Sequence, residues 1–241
     1  MHLGIDLGSS SIKLSLLEAN EGKVIASVTY PKEELAINAP QQGWAEQDPE
    51  MWWNNFIEAY ALLTQQDNID AKKIEAIGIS YQMHGLVLVD KEQKVLRASI
   101  IWCDSRAVDI GNNAFQSIGE NYCLPHLLNS PGNFTASKLA WVKQNEPEIY
   151  DKAYKFMLPG DYIAMRLSGK PTTTETGLSE GIFWDFKHQK VSDQVLDEYG
   201  ISKELIPEIV PAIGANLPIQ QSVAEKLGLT NDVTITYRGG D

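Results

Sequence analysis

Leu3-Gly4-Ile5-Asp6-Leu7-Gly8-Ser9-Ser10-Ser11-Ile12-Lys13-Leu14-Ser15-Leu16 holds two runs of period-2 alternation hinged on a Gly-Ser turn. Leu3, Ile5 and Leu7 alternate with Gly4, Asp6 and Gly8. Ile12, Leu14 and Leu16 alternate with Lys13 and Ser15, as half-buried strands require. Val24, Ala26 and Val28 repeat the pattern after the turn-like Asn20-Glu21-Gly22. The stretch predicts an antiparallel three-strand meander. A helix should follow, because Asp48 can cap it, Pro49 suits its first position and Glu50 suits its positive first turn. Trp53, Phe56, Ile57, Tyr60 and Leu63 then share one helical face. Strands are predicted at 74–80, 86–89 and 95–102. The order β-β-β-α-β points to an α/β fold, a mixed sheet with flanking helices.

Further along, 136–144 and 162–167 read as helices, the second stopped by Gly169. Residues 171–186 read as loop and strand. Helical patterns at 191–199 and 220–227 surround Pro207, Pro211 and Pro218. An alternating strand at 233–237 runs into Arg238-Gly239-Gly240-Asp241. A domain rarely ends on a strand and such a turn, so a longer parent protein is expected, with 1–241 as one of its domains.

The 241 residues are 43% hydrophobic, which suits an ordinary core, and the net charge is -12. A surface this acidic repels nucleic acid and anionic membranes, so neither is an expected partner. Nothing approaches the roughly 20 consecutive apolar residues of a bilayer span. The N-terminal residues show no signal-peptide pattern, which makes a cytoplasmic protein the expectation. Cys103, in a predicted apolar strand, and Cys123, near Pro125, are expected as buried free thiols. His2, His84, His126 and His188 lack the spacing of a metal site.

Four short constellations could carry chemistry. The carboxylate of Asp6 could hold magnesium through its waters, and the Gly8-Ser9-Ser10-Ser11 turn could contact phosphates through N–H groups and hydroxyls. A solvated edge strand with a Ser-rich hairpin would read the same way. Gln82-Met83-His84-Gly85 follows a strand and could hydrogen-bond a polyol, although His84 could equally cap a turn. In Ile101-Trp102-Cys103-Asp104-Ser105-Arg106, Trp102 offers a flat wall for a sugar ring. Asp104 and Arg106 could serve hydroxyls or each other. Asp241, after two glycines, could accept a proton from an attacking hydroxyl, or be a loop aspartate.

Taken in order, these residues resemble the N-terminal domain of the FGGY carbohydrate kinases. Gly4-Ile5-Asp6-Leu7-Gly8-Ser9-Ser10 is similar to that family's phosphate loop. Trp44-Ala45-Glu46-Gln47-Asp48-Pro49, Gln82-Met83-His84-Gly85 and the segment 101–106 most resemble its xylulose-phosphorylating members. Phe134-Thr135-Ala136-Ser137-Lys138-Leu139-Ala140-Trp141, Glu146-Pro147-Glu148-Ile149 and Leu158-Pro159-Gly160-Asp161-Tyr162 extend the likeness.

The resemblance implies an actin-like (ribonuclease H-like) fold and ATP-dependent transfer to D-xylulose, with Mg2+. It implies Asp241 as general base and Asp6 facing magnesium and phosphates, with Ser9, Ser10 and Ser11 nearby. Gln82, Met83 and His84 would line the sugar site, with Trp102 and Asp104 as neighbours. Ribulose, gluconate and glycerol remain open as acceptors, a homodimer is left open, and a non-catalytic sugar-binding module is the rival class. A glycosidase would need two acids facing one bond, and nothing in the sequence fixes such a pair. The nucleotide-binding half of such kinases has no counterpart in 1–241, so negligible activity is expected of this chain alone. Arg238 departs from the family pattern, standing where a small residue is common, and Asn133 replaces a common glycine.

Overall fold

The opening alternation folds as three antiparallel strands in the computed structural model, which describes residues 1–67 and 69–241. In chain order these are β1 (His2–Leu7), β2 (Ile12–Glu18) and β3 (Lys23–Tyr30), followed by α1 (Pro49–Thr64) and β4 (Ala76–Tyr81). A helical region follows with α2 (Val108–Ile118), α3 (Thr135–Asn145), α4 (Pro159–Ser168), α5 (Glu175–Glu180) and α6 (Asp193–Tyr199). The chain then returns through β5 (Ile213–Pro218), α7 (Gln221–Leu227) and β6 (Thr234–Gly240). The main sheet has the order β5-β6-β4-β1-β2-β3. Its middle strands β6, β4 and β1 run parallel.

Alternation decides which face is core. Leu3, Ile5 and Leu7 of β1, Ile12, Leu14 and Leu16 of β2, and Ile77, Ile79 and Tyr81 of β4 are all buried. They pack with Trp52, Phe56 and Leu63 of α1 and Tyr162, Ile163 and Leu167 of α4 in one cluster. Each such side chain contributes about 1.5–3 kcal/mol when withdrawn from water. The helix start is as predicted: the Asp48 carboxylate accepts from Glu50 N–H at 2.9 Å, with Pro49 at the first position. A second apolar cluster, including Leu88, Leu139, Phe156 and Phe183, builds the helical region. Among the described residues, no helix is long and apolar enough to cross a membrane.

Three sequence expectations need correction. Of 95–102, only Ser99–Ile100 forms a strand, with Val95 making a single antiparallel bridge to Val89; beyond Ile100 the chain turns at Ile101, whose carbonyl accepts from Asp104 N–H at 3.2 Å. That turn leaves Cys103 exposed, while Cys123 is buried as expected. Within 171–186 short strands form as expected at Thr172–Thr174 and Trp184–Asp185, but between them lies the helix α5, capped by Thr174, whose hydroxyl accepts from Gly177 N–H at 3.0 Å.

The last strand carries a bulge. Ile235 pairs with Ile77, but Tyr237 pairs with Gly78, so one extra residue lies on β6. A bulge of one residue exchanges the faces of everything beyond it. Arg238 therefore pairs with Ile79 on the core face and is buried. Gly239 falls beside Ser80.

Candidate functional site

Three parallel strands end together at one edge of the sheet, the usual place for a ligand in α/β folds. Asp6 of β1 and Gly239 of β6 both pair with Ser80 of β4. The chain then leaves β1 through Gly8–Ser11 and β4 through 82–85, and β6 leads to Asp241. The Ser80 hydroxyl donates to Asp241 Oδ1 at 2.7 Å. Asp6 lies on the opposite side of Ser80, with Lys13 Nζ 3.5 Å from its carboxylate. A cavity of about 410 Å³ brings together Ser9, Ser10, Gln82, Met83, His84, Trp102 and Asp241. Asp6 lines a shallower depression with Lys13 and Ser80. Ser11 closes the turn, its carbonyl accepting from Gly8 N–H at 3.0 Å.

Hydrogen bonds set what each side chain can still offer. Gln82 is buried, and its Nε2 donates to Gln47 Oε1 at 3.3 Å. Gln47 in turn donates to the Ser9 carbonyl at 2.7 Å, fastening the two turns together. Gln82 Oε1 has no partner among the described residues. A buried acceptor left empty is costly, so this atom suits a ligand hydroxyl. His84 has a left-handed backbone, φ 60. Its Nδ1 lies 3.1 Å from the Glu180 carbonyl. A carbonyl only accepts, so Nδ1 carries the proton and Nε2 remains an acceptor. Burial pushes the imidazole pKa down, which favours this neutral form. Trp102 is exposed, and its Nε1 donates to Ser9 Oγ at 3.2 Å.

Asp104 is turned inward, away from the cavity. It is wholly buried, pairs with Arg106 Nη2 at 2.7 Å and accepts from Ala45 N–H at 2.6 Å. Arg106 is itself stacked 3.7 Å from the Trp44 ring centroid. Asp104 and Arg106 thus serve each other, and Asp104 does not line the cavity. Arg238, the departure flagged in the sequence, points away from Asp241. Its Nε lies 3.0 Å from Asp161 Oδ1, beneath α4.

Two residues with no predicted role shape the site. Lys138 is fully buried and donates to the carbonyls of His84 at 2.7 Å and Ile101 at 2.9 Å. It ties the 82–85 and 101–104 turns together, and burial pushes its ammonium down to about 8. Glu180, at the end of α5, accepts from His84 N–H at 3.1 Å and from the Tyr81 hydroxyl at 3.2 Å. It borders a second cavity of about 650 Å³ that shares Met83 and adds Trp184, Phe186 and Gly240. A Cβ on Gly240 would overlap the Glu180 carboxylate, so the glycine is what admits this acid beside the last strand. Lys138 lies inside a quoted motif. No local pattern marks Glu180, whose position depends on contacts distant in sequence.

Burial pushes the Glu180 carboxyl from 4.5 up to about 8; the His84 N–H opposes this, and the Asp161 and Asp241 charges add to it. Between those two values the folded state holds a proton that the unfolded chain has lost. Stability should therefore fall as pH rises from about 4.5 to about 8. Glu180→Gln imitates the neutral acid and should flatten that fall. The check is a comparison of melting temperatures at about pH 5 and about pH 8.5; parallel curves for the two proteins would contradict it.

The model of the FGGY family of carbohydrate kinases, N-terminal domain, matches residues 1–241. The chain belongs to this family. It is 36% identical to the xylulose kinase of Bacillus subtilis (strain 168), over 99% of this chain and 47% of that protein. A crystal structure of a xyloylose kinase from Brucella ovis superposes with a TM-score of 0.90 at 29% identity, covering 99% of this chain and 48% of that one. One of a gluconate kinase from Lactobacillus acidophilus gives 0.87 at 30% identity, covering 100% and 48%. The fold is accordingly the actin-like, ribonuclease H-like one that the family resemblance implied. The chain spans about half the length of the curated relatives it matches.

Proposed function

We propose that this chain is the sugar-binding half of an ATP-dependent kinase that phosphorylates D-xylulose, at O5, with Asp241 as general base. The observation that carries the reading is the Asp241 carboxylate, oriented by Ser80 in a cavity also lined by Gln82 and His84, whose Oε1 and Nε2 are acceptors without a partner among the described residues. A sugar hydroxyl donates to such acceptors, while Met83 and Trp102 offer apolar surface to its C–H groups. Asp241 takes the proton from the attacking hydroxyl as that oxygen bonds to phosphorus. Xylulose is favoured over gluconate, ribulose or glycerol because xylulose kinases recur among the curated relatives.

The residues present fit a magnesium nucleotide. A Cβ on Gly8 would press on the Ser11 carbonyl at 3.0 Å, so the glycine keeps the turn tight. Ser9 and Ser10 would contact phosphates, Asp6 would hold magnesium through water, and Lys13 offsets the acidic field locally. When bound, the magnesium nucleotide supplies the phosphoryl group. Adenine and ribose contacts fall to a second half, as does closure of the cleft against water.

The test joins this chain to the C-terminal half of the Bacillus subtilis relative and measures ADP formation with each acceptor. Turnover with D-xylulose of about 1–100 s⁻¹ is expected from the joined protein, and negligible turnover from this chain alone. Robust activity of the isolated chain, or a preference of the joined protein for gluconate, would overturn the proposal.

A further inference from the structure

Among the described residues, His126, Asp185 and His188 bring three ligand-type side chains together, with ligand atoms all within 4.8 Å of one another. The cluster lies outside the cavities described above. Sequence spacing concealed it, because His126 and Asp185 are 59 residues apart. His126 sits in a π-helical turn (Cys123–Leu127), an irregularity often found at functional sites. Asp185 and His188 belong to a hairpin formed by Trp184–Asp185 and Lys190–Val191.

We infer that this cluster is a binding site for a divalent transition metal, zinc being the best match to two imidazoles and a carboxylate. His126 Nδ1 lies 3.0 Å and His188 Nδ1 2.7 Å from Asp185 Oδ2. Ligand atoms at about 2.0–2.1 Å from a tetrahedral zinc ion are about 3.3 Å apart. The two contacts are about 0.3 and 0.6 Å shorter than that, so the rings move outward from Asp185 to admit the ion, and the proton that each Nδ1 shares with the carboxylate passes to Nε2 or to solvent. His188 is exposed and leaves the remaining coordination position to solvent.

The outer contacts are those of a built site. The Tyr122 hydroxyl donates to Asp185 Oδ2 at 2.8 Å, and the N–H groups of Lys187 and His188 both donate to Oδ1 at 3.0 Å. The Tyr122 ring also stacks on His126 with centroids 4.2 Å apart. Such partners fix a ligating carboxylate and imidazole before the metal arrives. Two uncharged imidazoles and a carboxylate suit zinc, nickel or copper better than magnesium. Phe186 and Gln189 of the same hairpin turn line the 650 Å³ cavity. A metal here fastens that wall to the π-helical turn, a structural role separate from phosphoryl transfer.

The experiment uses the tag-free chain, stripped of metal and titrated calorimetrically with zinc chloride. One zinc per chain and a raised melting temperature are expected, with cobalt(II) giving the visible absorption of a tetrahedral site. His188→Gln alters an exposed side chain and should fold, yet lower zinc affinity at least about tenfold. Tyr122→Phe keeps all three ligands and should lower it by about 10–100-fold, as loss of an outer-shell partner does. His2→Gln should change nothing. Absence of stoichiometric binding, or equal binding by wild type and His188→Gln, overturns the assignment.

Discussion

Asp241→Asn, in the chain joined to a nucleotide-binding half, is expected to lower kcat by about 10²–10⁴-fold, the usual worth of a positioned general base. Asparagine has the same shape, and its Oδ1 can still accept from the Ser80 hydroxyl now 2.7 Å from Asp241 Oδ1. The change is isosteric and keeps the Ser80 contact, so stability should change little. What is lost is an oxygen able to take the proton as the hydroxyl attacks. The sugar KM should move little, because Gln82 and His84 keep their acceptors. Steady-state kinetics with a thermal melt as control measure this. A loss below about tenfold would remove Asp241 from the role of base.

Asp161→Ala should cost about 3–5 kcal/mol of folding stability, since it strands the buried Arg238 guanidinium without its partner. Asp161 is fully buried and held by Arg238 at 3.0 Å and by the Thr173 hydroxyl at 2.8 Å. Burial pushes the Asp161 carboxyl up, and the Arg238 charge opposes that rise. Removing both charges together, as Asp161→Leu with Arg238→Met, should recover most of the loss because no lone charge is left buried. Urea unfolding of the single and double variants would measure both effects. A single-variant loss under about 1 kcal/mol would show the pair to be dispensable.

Local periodicity carried much of this architecture. The alternation of Leu3 to Leu7 and Ile12 to Leu16 was enough for β1 and β2, and Asp48-Pro49 placed the start of α1. The candidate site was legible where strand ends and glycines coincide, at Gly8, Gly85 and Gly239-Gly240. Long-range capture by polar groups was not legible. Nothing near Ile101 announces that Lys138 takes its carbonyl, and that contact helps end the strand expected through residue 102. Asp104 and Arg106 could be read as a binding pair or as an internal one. The choice depended on Trp44 and Ala45, about 60 residues earlier. Glu180 stayed hidden because its importance rests on the missing Cβ of Gly240.

The bulged strand β6 also bears on how the molecule is made. It pairs with β4 in the middle of the sheet, so that Ser80 meets Asp241 across 161 residues. Contacts this distant in sequence are costly to close and tend to form late. On a ribosome, β1 to β4 can associate while the helical region is still being synthesised, whereas the slot beside β4 stays open until β6 emerges. A ligand that needs Asp241 therefore binds only chains whose sheet has been completed.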